Sequence, residues 1–77
     1  MVKIGDVVVS LKGRDKGKLY VVCRIDGFVY ITDGHMHKLD NPKKKNFKHI
    51  KYVASTNCIF ANMYDCDIIH LLKKHSV

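Results

Sequence analysis

The sequence predicts a mainly β domain, built as a small barrel or a strongly curved sheet, that ends in a short C-terminal helix. Three observations support this fold class. Apolar, β-branched runs recur through residues 6–54 and are separated by short turns. The turns include two Asp-Gly dipeptides, whose residues tolerate positive φ and suit tight hairpins. After residue 54, the apolar residues take up helical spacing.

The strand pattern occurs in four segments, which are residues 6–11, 19–25, 28–32 and 47–54. The third segment alternates aromatic and β-branched residues, as a half-buried strand does. Asp26-Gly27 separates the second segment from the third, and Asp33-Gly34 marks the turn that follows the third. Short strands joined by turns at this spacing favour a small barrel or a curved sheet.

The chain between the third and fourth strand segments is predicted as a basic loop. Pro42 has no amide hydrogen, so the chain around it is expected to be a loop or a strand edge. Lys43–Lys45 follow it directly and are assigned to the same loop. In the strand segment beyond them, Ile50, Tyr52 and Ala54 are expected to share one face.

The last part of the sequence has the features of an amphipathic helix. Its apolar residues form a patch at helical spacing, with acidic residues in the first turn and basic residues in the last, as the helix dipole favours. We predict a helix over Asp65–His75, with residues 59–64 as a weaker extension, that covers an open end of the barrel. The chain then divides into a barrel of residues 1–54 and a C-terminal extension of residues 55–77 that packs on it.

A chain of 77 residues is expected to form one domain with a modest core. No run approaches the roughly 18 apolar residues of a membrane span, and Asp6 interrupts any N-terminal signal-peptide core. Cys23, Cys58 and Cys66 are an odd number without a C-x-x-C pair, which argues against a disulfide framework and a zinc ribbon. These features predict a cytoplasmic protein with reduced thiols and no membrane partner.

The charge is strongly one-sided. The chain has 14 Lys and Arg against 7 acidic residues, all of them Asp, for a net charge of +7. Residues 52–77 are neutral, so the whole positive excess lies in residues 1–51. A one-sided positive field favours a polyanionic partner, and nucleic acid is the first candidate.

Catalysis and metal binding have little support in the sequence. It contains no Glu, no nucleophile motif is present, and a barrel of this size rarely has room for a substrate pocket. His35 and His37 would point the same way on a strand, but structural zinc needs about four ligands. Only a tertiary contact with another histidine or a cysteine could complete such a site. We therefore predict no catalytic residues, no metal, no cofactor and no small-molecule substrate.

Two basic segments, residues 12–18 and 43–45, then carry the functional interpretation. Each segment by itself could be a solvated turn, or a charged stretch that prevents a strand edge from pairing with other chains. In a small barrel, however, two such loops can line one rim, and glycines let backbone amides approach a phosphate closely. Five aromatic residues interleave with the charges and could stack on unpaired bases, although most of them are expected in the core: Tyr20, Phe28, Tyr30, Phe47 and Tyr52. The pattern predicts a surface that contacts nucleic-acid phosphates with little reading of base identity.

The same residues resemble a known family. Gly5-Asp6-Val7-Val8, the loop at residues 13–18 and Tyr20-Val21-Val22 together resemble a KOW motif. That motif has two strands around a basic loop with a central glycine, and occurs in ribosomal proteins and transcription-elongation factors. The downstream stretch DGHMHKLDNPKKKNFKHI is similar to bacterial KOW-domain RNA-binding proteins related to large-subunit ribosomal protein family fourteen-e of archaea and eukaryotes. The resemblance covers about residues 4–54 and departs at residues 55–77, where relatives often have longer and more charged helices.

The resemblance implies an SH3-like (KOW) barrel of about five strands that binds RNA, in particular ribosomal RNA, as a ribosomal or ribosome-associated protein. Proteins of the large ribosomal subunit would be further partners. By position, Gly17 matches the central glycine of the motif. The residues expected to contact RNA are Lys12, Gly13, Arg14, Lys16, Gly17, Lys18, Lys38, Lys43, Lys44, Lys45, Lys48 and His49.

A second interpretation is a protein-interaction module that docks onto the transcription or translation machinery through an apolar face. The candidate residues for that face are Met36, Phe47, Ile59, Phe60 and Met63. A contiguous exposed apolar patch of several hundred Å² would favour it.

Overall fold

Five antiparallel strands form a single sheet in the computed structural model, which describes residues 2–56 and 63–75. The elements are β1 (Val7–Ser10), β2 (Leu19–Ile25), β3 (Val29–Thr32), β4 (Lys43–Lys45), β5 (Ile50–Ala54) and α1 (Asp65–His75). The strand order is β4-β3-β2-β1-β5, so β5 returns across the fold to pair with β1. The predicted mainly β fold with a short C-terminal helix is confirmed. The sheet is barrel-like but open, because β4 and β5 lie at its two edges.

The interior of the barrel is filled by side chains from all the strands except β4. Alternate positions along a strand face opposite sides, which is why Tyr20 and Val22 point inward while Val21 points outward. The inner cluster consists of Val8, Tyr20, Val22, Val29, Ile31 and Ile50. These side chains are the main apolar core.

A second apolar cluster lies on the outer face of β1 and β2. It is built on Val7, Val21 and Ile68, all fully buried, with partly buried leucines and Met63 around them. Ile68 belongs to α1, so the helix covers the outside of the sheet. The predicted helix boundaries are confirmed. The predicted position of the helix, over an open end of the barrel, is wrong. The physical reason is that β1 and β2 are apolar on both faces, and the outer face also needs a cover.

The start of α1 is held by its own acidic residues. The Asp67 carboxylate accepts a hydrogen bond from the backbone N–H of Tyr64 at 2.8 Å, half of a capping box. The Asp65 carboxylate accepts another from the N–H of Leu39, also at 2.8 Å. The second bond ties the helix to the long loop between β3 and β4. The weaker helical prediction for residues 59–64 lies mostly outside the described residues, and Tyr64 precedes the helix.

The expected loop at Lys43–Lys45 is wrong, because these residues form β4. They pair with β3, where Lys45 lies opposite Val29 and Lys43 lies opposite Ile31. Three consecutive lysines do not show the β-branched pattern of a strand, but lysines are common on edge strands, where they prevent pairing with other chains. One turn of 3₁₀-helix, Phe47–His49, then leads into β5, which begins at Ile50.

The predicted face of β5 is correct at its start and wrong at its end. Ile50 and Tyr52 pair with Ser10 and Val8 and share the inward face. The register then shifts, so that Ala54 pairs with Val7, which points outward. A β-bulge at this point moves Ala54 to the opposite face.

In the described part of the chain, no helix has the length and apolar character needed to cross a membrane.

Candidate nucleic-acid interface

The loop between β1 and β2 is held tightly by its own backbone. Gly17 donates to the Ser10 carbonyl at 2.8 Å, and Ser10 donates to the Lys18 carbonyl at 3.0 Å. Gly13 and Gly17 have φ of 89° and 86°, a conformation that side chains with a Cβ rarely adopt. The predicted glycines are therefore at the positions where the chain turns. The four cationic residues of the loop, Lys12, Arg14, Lys16 and Lys18, are all exposed.

Asp15, in the same loop, points inward and binds two lysines of β4. Its carboxylate oxygens lie 3.2 Å from Lys43 Nζ and 3.3 Å from Lys45 Nζ. Ser10 Oγ donates to the same carboxylate at 3.1 Å, and Lys45 Nζ also donates to the Lys12 carbonyl at 2.8 Å. We call these residues, Ser10, Asp15, Lys43 and Lys45, the Asp15 clasp. It joins the edge strand β4 to the β1–β2 loop, two parts of the open barrel that are not paired in the sheet.

The clasp keeps Asp15 charged. Burial disfavours the carboxylate, but the contacts from Lys43, Ser10 and Lys45 outweigh that effect and lower the pKa of Asp15 from 3.8 to about 2. The same charge, together with burial, raises the pKa of the neighbouring Tyr20 hydroxyl in the core. The Asp15 carboxylate is therefore ionised throughout the neutral and mildly acidic range.

Two of the predicted RNA-contact residues, Lys45 and Lys43, form ion pairs with Asp15. The Lys45 side chain is only 9% exposed, and its ammonium group is used by Asp15 and by the Lys12 carbonyl. Lys43 is partly exposed and pairs with the other oxygen of Asp15. In β4 both residues face the interior side, opposite Val29 and Ile31. Lys45 is thus a structural residue, and the only lysine of the run that points away from Asp15 is Lys44.

The β1–β2 loop and the 3₁₀ turn at residues 47–49 meet at one rim of the barrel. Leu11 donates a backbone hydrogen bond to the His49 carbonyl at 2.8 Å, which places the 3₁₀ turn beside the β1–β2 loop. Desolvation and the charges of Lys12, Lys48 and Lys45 lower the pKa of His49. The lysines from both segments are therefore close enough to influence the same imidazole. We define the basic rim as the side chains of Lys12, Arg14, Lys16, Lys48 and His49.

Three predicted contact residues lie away from the basic rim. Lys18 lines a groove of about 680 Å³ beside α1, together with Leu19, Met36, Ile69 and Leu72. Lys38 is exposed in the β3–β4 loop, next to the residue that bonds to Asp65 at the start of α1. Lys44 lies on the outer face of β4, with its Nζ 4.2 Å from the centre of the Phe28 ring.

Arg24 was not predicted as a contact residue, although it is exposed beside an aromatic ring. Its guanidinium carbon lies 4.1 Å from the centre of the Tyr30 ring. The sequence does contain a feature that could have indicated this residue. An arginine lies near the end of one strand segment, and a tight turn and a strand rich in aromatic residues follow it. Only the pairing of β2 with β3 shows which of those aromatic rings the arginine meets.

The cysteines and histidines do not converge. Within residues 2–56 and 63–75, no three His, Cys, Asp or Glu side chains are placed so that they could hold a metal ion. Cys23 is half-buried with its thiol pKa raised by burial, Cys66 is exposed, and both are free. Cys58 lies outside the described residues.

No protein-family model matches the chain, and comparison with curated proteins finds no significant match. The resemblance to KOW-domain proteins therefore depends on the residues quoted above.

Proposed function

We propose that this protein binds RNA through phosphate contacts at the basic rim. The observation that carries the proposal is the convergence of two cationic segments, separated by more than twenty residues in sequence, on the surface around His49. Like charges repel, so a fold that brings them together on one surface suits a polyanionic ligand. The nearby acidic residue of the loop, Asp15, is turned inward and already paired.

The chemistry of the rim favours backbone contact over sequence reading. Its lysines and arginine are exposed side chains on a loop and a 3₁₀ turn, an arrangement that suits contact with phosphates more than contact with base edges. Such contacts release counterions, so RNA affinity should fall steeply with salt. The KOW resemblance supports ribosomal RNA as the ligand, with the protein acting as a ribosomal or ribosome-associated component.

The first test is the salt dependence of RNA binding in two charge-matched double variants. Lys12→Gln with Arg14→Gln removes two rim cations, while Lys3→Gln with Lys74→Gln removes two exposed cations elsewhere. For single-stranded RNA the rim variant should make the slope of log K against log salt shallower by ~1.4, with binding roughly 20-fold weaker at about 0.1 M salt. The control pair should leave the slope near that of the wild type.

Fluorescence anisotropy over a salt series measures both quantities. Equal changes in the two double variants would mean that RNA affinity depends only on the net charge of the protein. The assignment of the rim as the RNA-binding surface would then be wrong. The Lys12 carbonyl that binds Lys45 belongs to the backbone, so the rim substitution preserves the Asp15 clasp.

A second prediction concerns pH. The pKa of His49 lies below its ordinary value, so at neutral pH the imidazole is uncharged. A bound phosphate would favour the protonated form, and the complex would then hold more protons than the free protein. RNA affinity should therefore rise as pH falls from about 7.5 to 5.5, by up to ~10-fold for each unit of difference in pKa between the two states.

His49→Gln should flatten this pH dependence, whereas His70→Gln, at an exposed site on α1, should preserve it. Anisotropy titrations at fixed ionic strength provide the measurement. A pH profile that is unchanged in His49→Gln would exclude His49 from the contact surface.

Association with the ribosome is tested with ribosomes isolated from cells that express the tagged protein. Tagged protein should migrate with the large ribosomal subunit in sucrose gradients at both low and moderate salt. Loss from all particles at moderate salt would instead support general, weak RNA binding.

The second candidate function, protein docking, is supported by the groove beside α1. Leu19, Ile69 and Leu72 form its apolar wall, and the Met36 side chain at its edge is 80% exposed. Phe47 lies elsewhere, in the 3₁₀ turn before β5, and Met63 packs in the outer cluster. Ile59 and Phe60 lie outside the described residues. Retention of wild-type partners by the rim variant, with loss on Met36→Lys, would favour this function.

A further inference from the structure

A second cationic surface lies on the outer face of β2, β3 and β4. Arg24 pairs with Tyr30 across the β2–β3 ladder, and Tyr30 pairs with Lys44 across the β3–β4 ladder. Cross-strand partners share a face, so the three side chains form a row. Tyr30 lies between Val29 and Ile31, which both point into the core, and the row therefore faces outward.

The row contains two cation–aromatic pairs side by side. Arg24 lies 4.1 Å from the Tyr30 ring centre, and Lys44 Nζ lies 4.2 Å from the centre of the Phe28 ring. Phe28 is 39% exposed, Arg24 and Lys44 are exposed, and Tyr30 is half-buried. Among the described residues, neither Arg24 nor Lys44 forms a salt bridge. We call these four side chains the stacking row.

A bulge in β2 places Arg24 in this row. The β2–β3 register shifts between Val22 and Arg24, so that Cys23 has no partner in β3 and its thiol donates to the Tyr30 carbonyl at 3.3 Å. In a regular ladder Arg24 would oppose Val29 and face the core. Bulges are often found next to functional sites, where they redirect a side chain.

Protection of a strand edge does not account for the row. Lys44 belongs to the edge strand β4, and a lysine there is an ordinary guard against pairing with other chains. Arg24, however, belongs to β2, whose ladder with β1 spans only Leu19–Val21, so that Arg24 pairs with β3 alone. A charge that only guards an edge does not need to lie over the Tyr30 ring, as Arg24 does. A guanidinium held over a tyrosine ring places a flat cation beside an aromatic ring, and this combination suits nucleobases.

The geometry points to the stacking row as a platform for unpaired bases of a single-stranded RNA. This inference rests on the proposed function, in which the basic rim binds the phosphates. Strand β4 borders both surfaces, since Lys44 points to the row and Lys43 points to the Asp15 clasp. Bases stack on the outer plane of the Arg24 guanidinium and on the exposed part of Phe28, and Lys44 neutralises the adjoining phosphate. The ligand class is thus single-stranded rather than duplex RNA.

Three probes separate stacking from phosphate contact: an oligoadenylate of about twelve nucleotides, an RNA duplex with a similar number of phosphates, and inorganic polyphosphate. Tyr30→Leu removes the aromatic ring beneath Arg24 but keeps an apolar side chain. Arg24→Lys keeps the charge but removes the planar guanidinium. Tyr64→Leu is the matched control, because Tyr64 is 75% exposed, precedes α1 and is not one of the four side chains of the row.

Both row variants should bind oligoadenylate between about 5-fold and about 100-fold more weakly than the wild type. Their affinities for duplex and for polyphosphate should stay within about twofold of wild type, and Tyr64→Leu should change none of the three. Arg24→Lys substitutes an exposed side chain, so it tests the platform even if Tyr30→Leu folds poorly.

A direct readout comes from Tyr30→Trp, since the chain contains no other tryptophan. Stacking of a base on the row should quench its fluorescence with oligoadenylate and leave it unchanged with polyphosphate. Suppose that duplex RNA and polyphosphate bind, but the row variants reduce the affinity for all three probes equally or for none of them. The platform is then excluded, while phosphate binding at the rim still stands. If the wild type binds none of the probes, the proposed function fails and the platform fails with it.

Discussion

Asp15→Asn should lower the free energy of unfolding by about 3 to 5 kcal/mol, the typical cost of breaking a buried ion pair by removing one partner. The substitution keeps the size of the side chain but removes the charge that balances Lys43 and Lys45. Lys45 is 9% exposed, so its ammonium group would lose its buried counter-ion. For a 77-residue domain with modest stability, a loss of this size leaves little folded protein at 37 °C.

Urea denaturation followed by circular dichroism measures the effect, with Asp40→Asn as the control at an exposed aspartate. The double variant Asp15→Asn with Lys45→Met should recover much of the lost stability, because it removes the uncompensated charge and places an apolar side chain in the same space. Equal loss in the single and double variants would show that the uncompensated charge of Lys45 is not the cause of the lost stability.

The ionisation of Asp15 also makes the free energy of unfolding depend on pH. The pKa of Asp15 is about 2 in the folded protein against 3.8 in the unfolded chain, so the unfolded state binds more protons in that interval. The stabilisation is complete above about pH 4 and is lost as pH falls towards 2, with a total of about 2 kcal/mol. Asp15→Asn should lack this part of the acid dependence.

Gly34→Ala should lower the free energy of unfolding by about 3 kcal/mol, from backbone strain and overpacking together. Gly34 has a φ of +77°, and a Cβ built on it would lie 2.4 Å from the Asp65 carbonyl oxygen and 2.9 Å from a carbon of Ile69. Both atoms belong to α1, and one of them is backbone. The helix would have to move away from the sheet, which would loosen Ile68 from Val7 and Val21.

Gly27→Ala separates the two causes. Gly27 has a similar φ of +71°, but a Cβ there meets nothing within 4 Å, so only the strain of about 1 kcal/mol remains. Urea titrations of both variants give the difference, and NMR shifts of the Val21 and Ile68 methyl groups report whether the helix has moved. Equal losses of stability in the two variants would show that contact between Gly34 and α1 does not limit helix packing.

The elements that sequence reasoning predicted well are those defined by local patterns. The Asp65–His75 helix was predicted with its observed boundaries, because its apolar spacing and its terminal charges both lie within the segment itself. Strands β2 and β3 were found for the same reason, since alternation and flanking Asp-Gly turns are short-range features. The β1–β2 loop was also recognised as a tight basic turn.

The residues that were misassigned depend on partners far away in the chain. Three lysines in a row resemble a loop until β3 pairs with them and makes them β4. Lys44 and Lys45 are neighbours of the same type, yet one is exposed over Phe28 and the other is buried against Asp15. Arg24 faces outward only because the register shifts at Cys23. Periodicity does not reveal a bulge or an ion pair across thirty residues.

By itself, the sequence determined the fold class, the C-terminal helix and the positive charge of residues 1–51, because secondary-structure patterns and charge are properties of neighbouring residues. Only the tertiary structure decided where those charges are placed. It brought the β1–β2 loop and the 3₁₀ turn together at the rim, turned Asp15 and Lys45 inward to join the open edge of the sheet, and aligned Arg24 with Tyr30. The physical reason is that strand register and burial are set by packing between distant segments, and a side chain becomes available to a ligand only where that packing leaves it exposed.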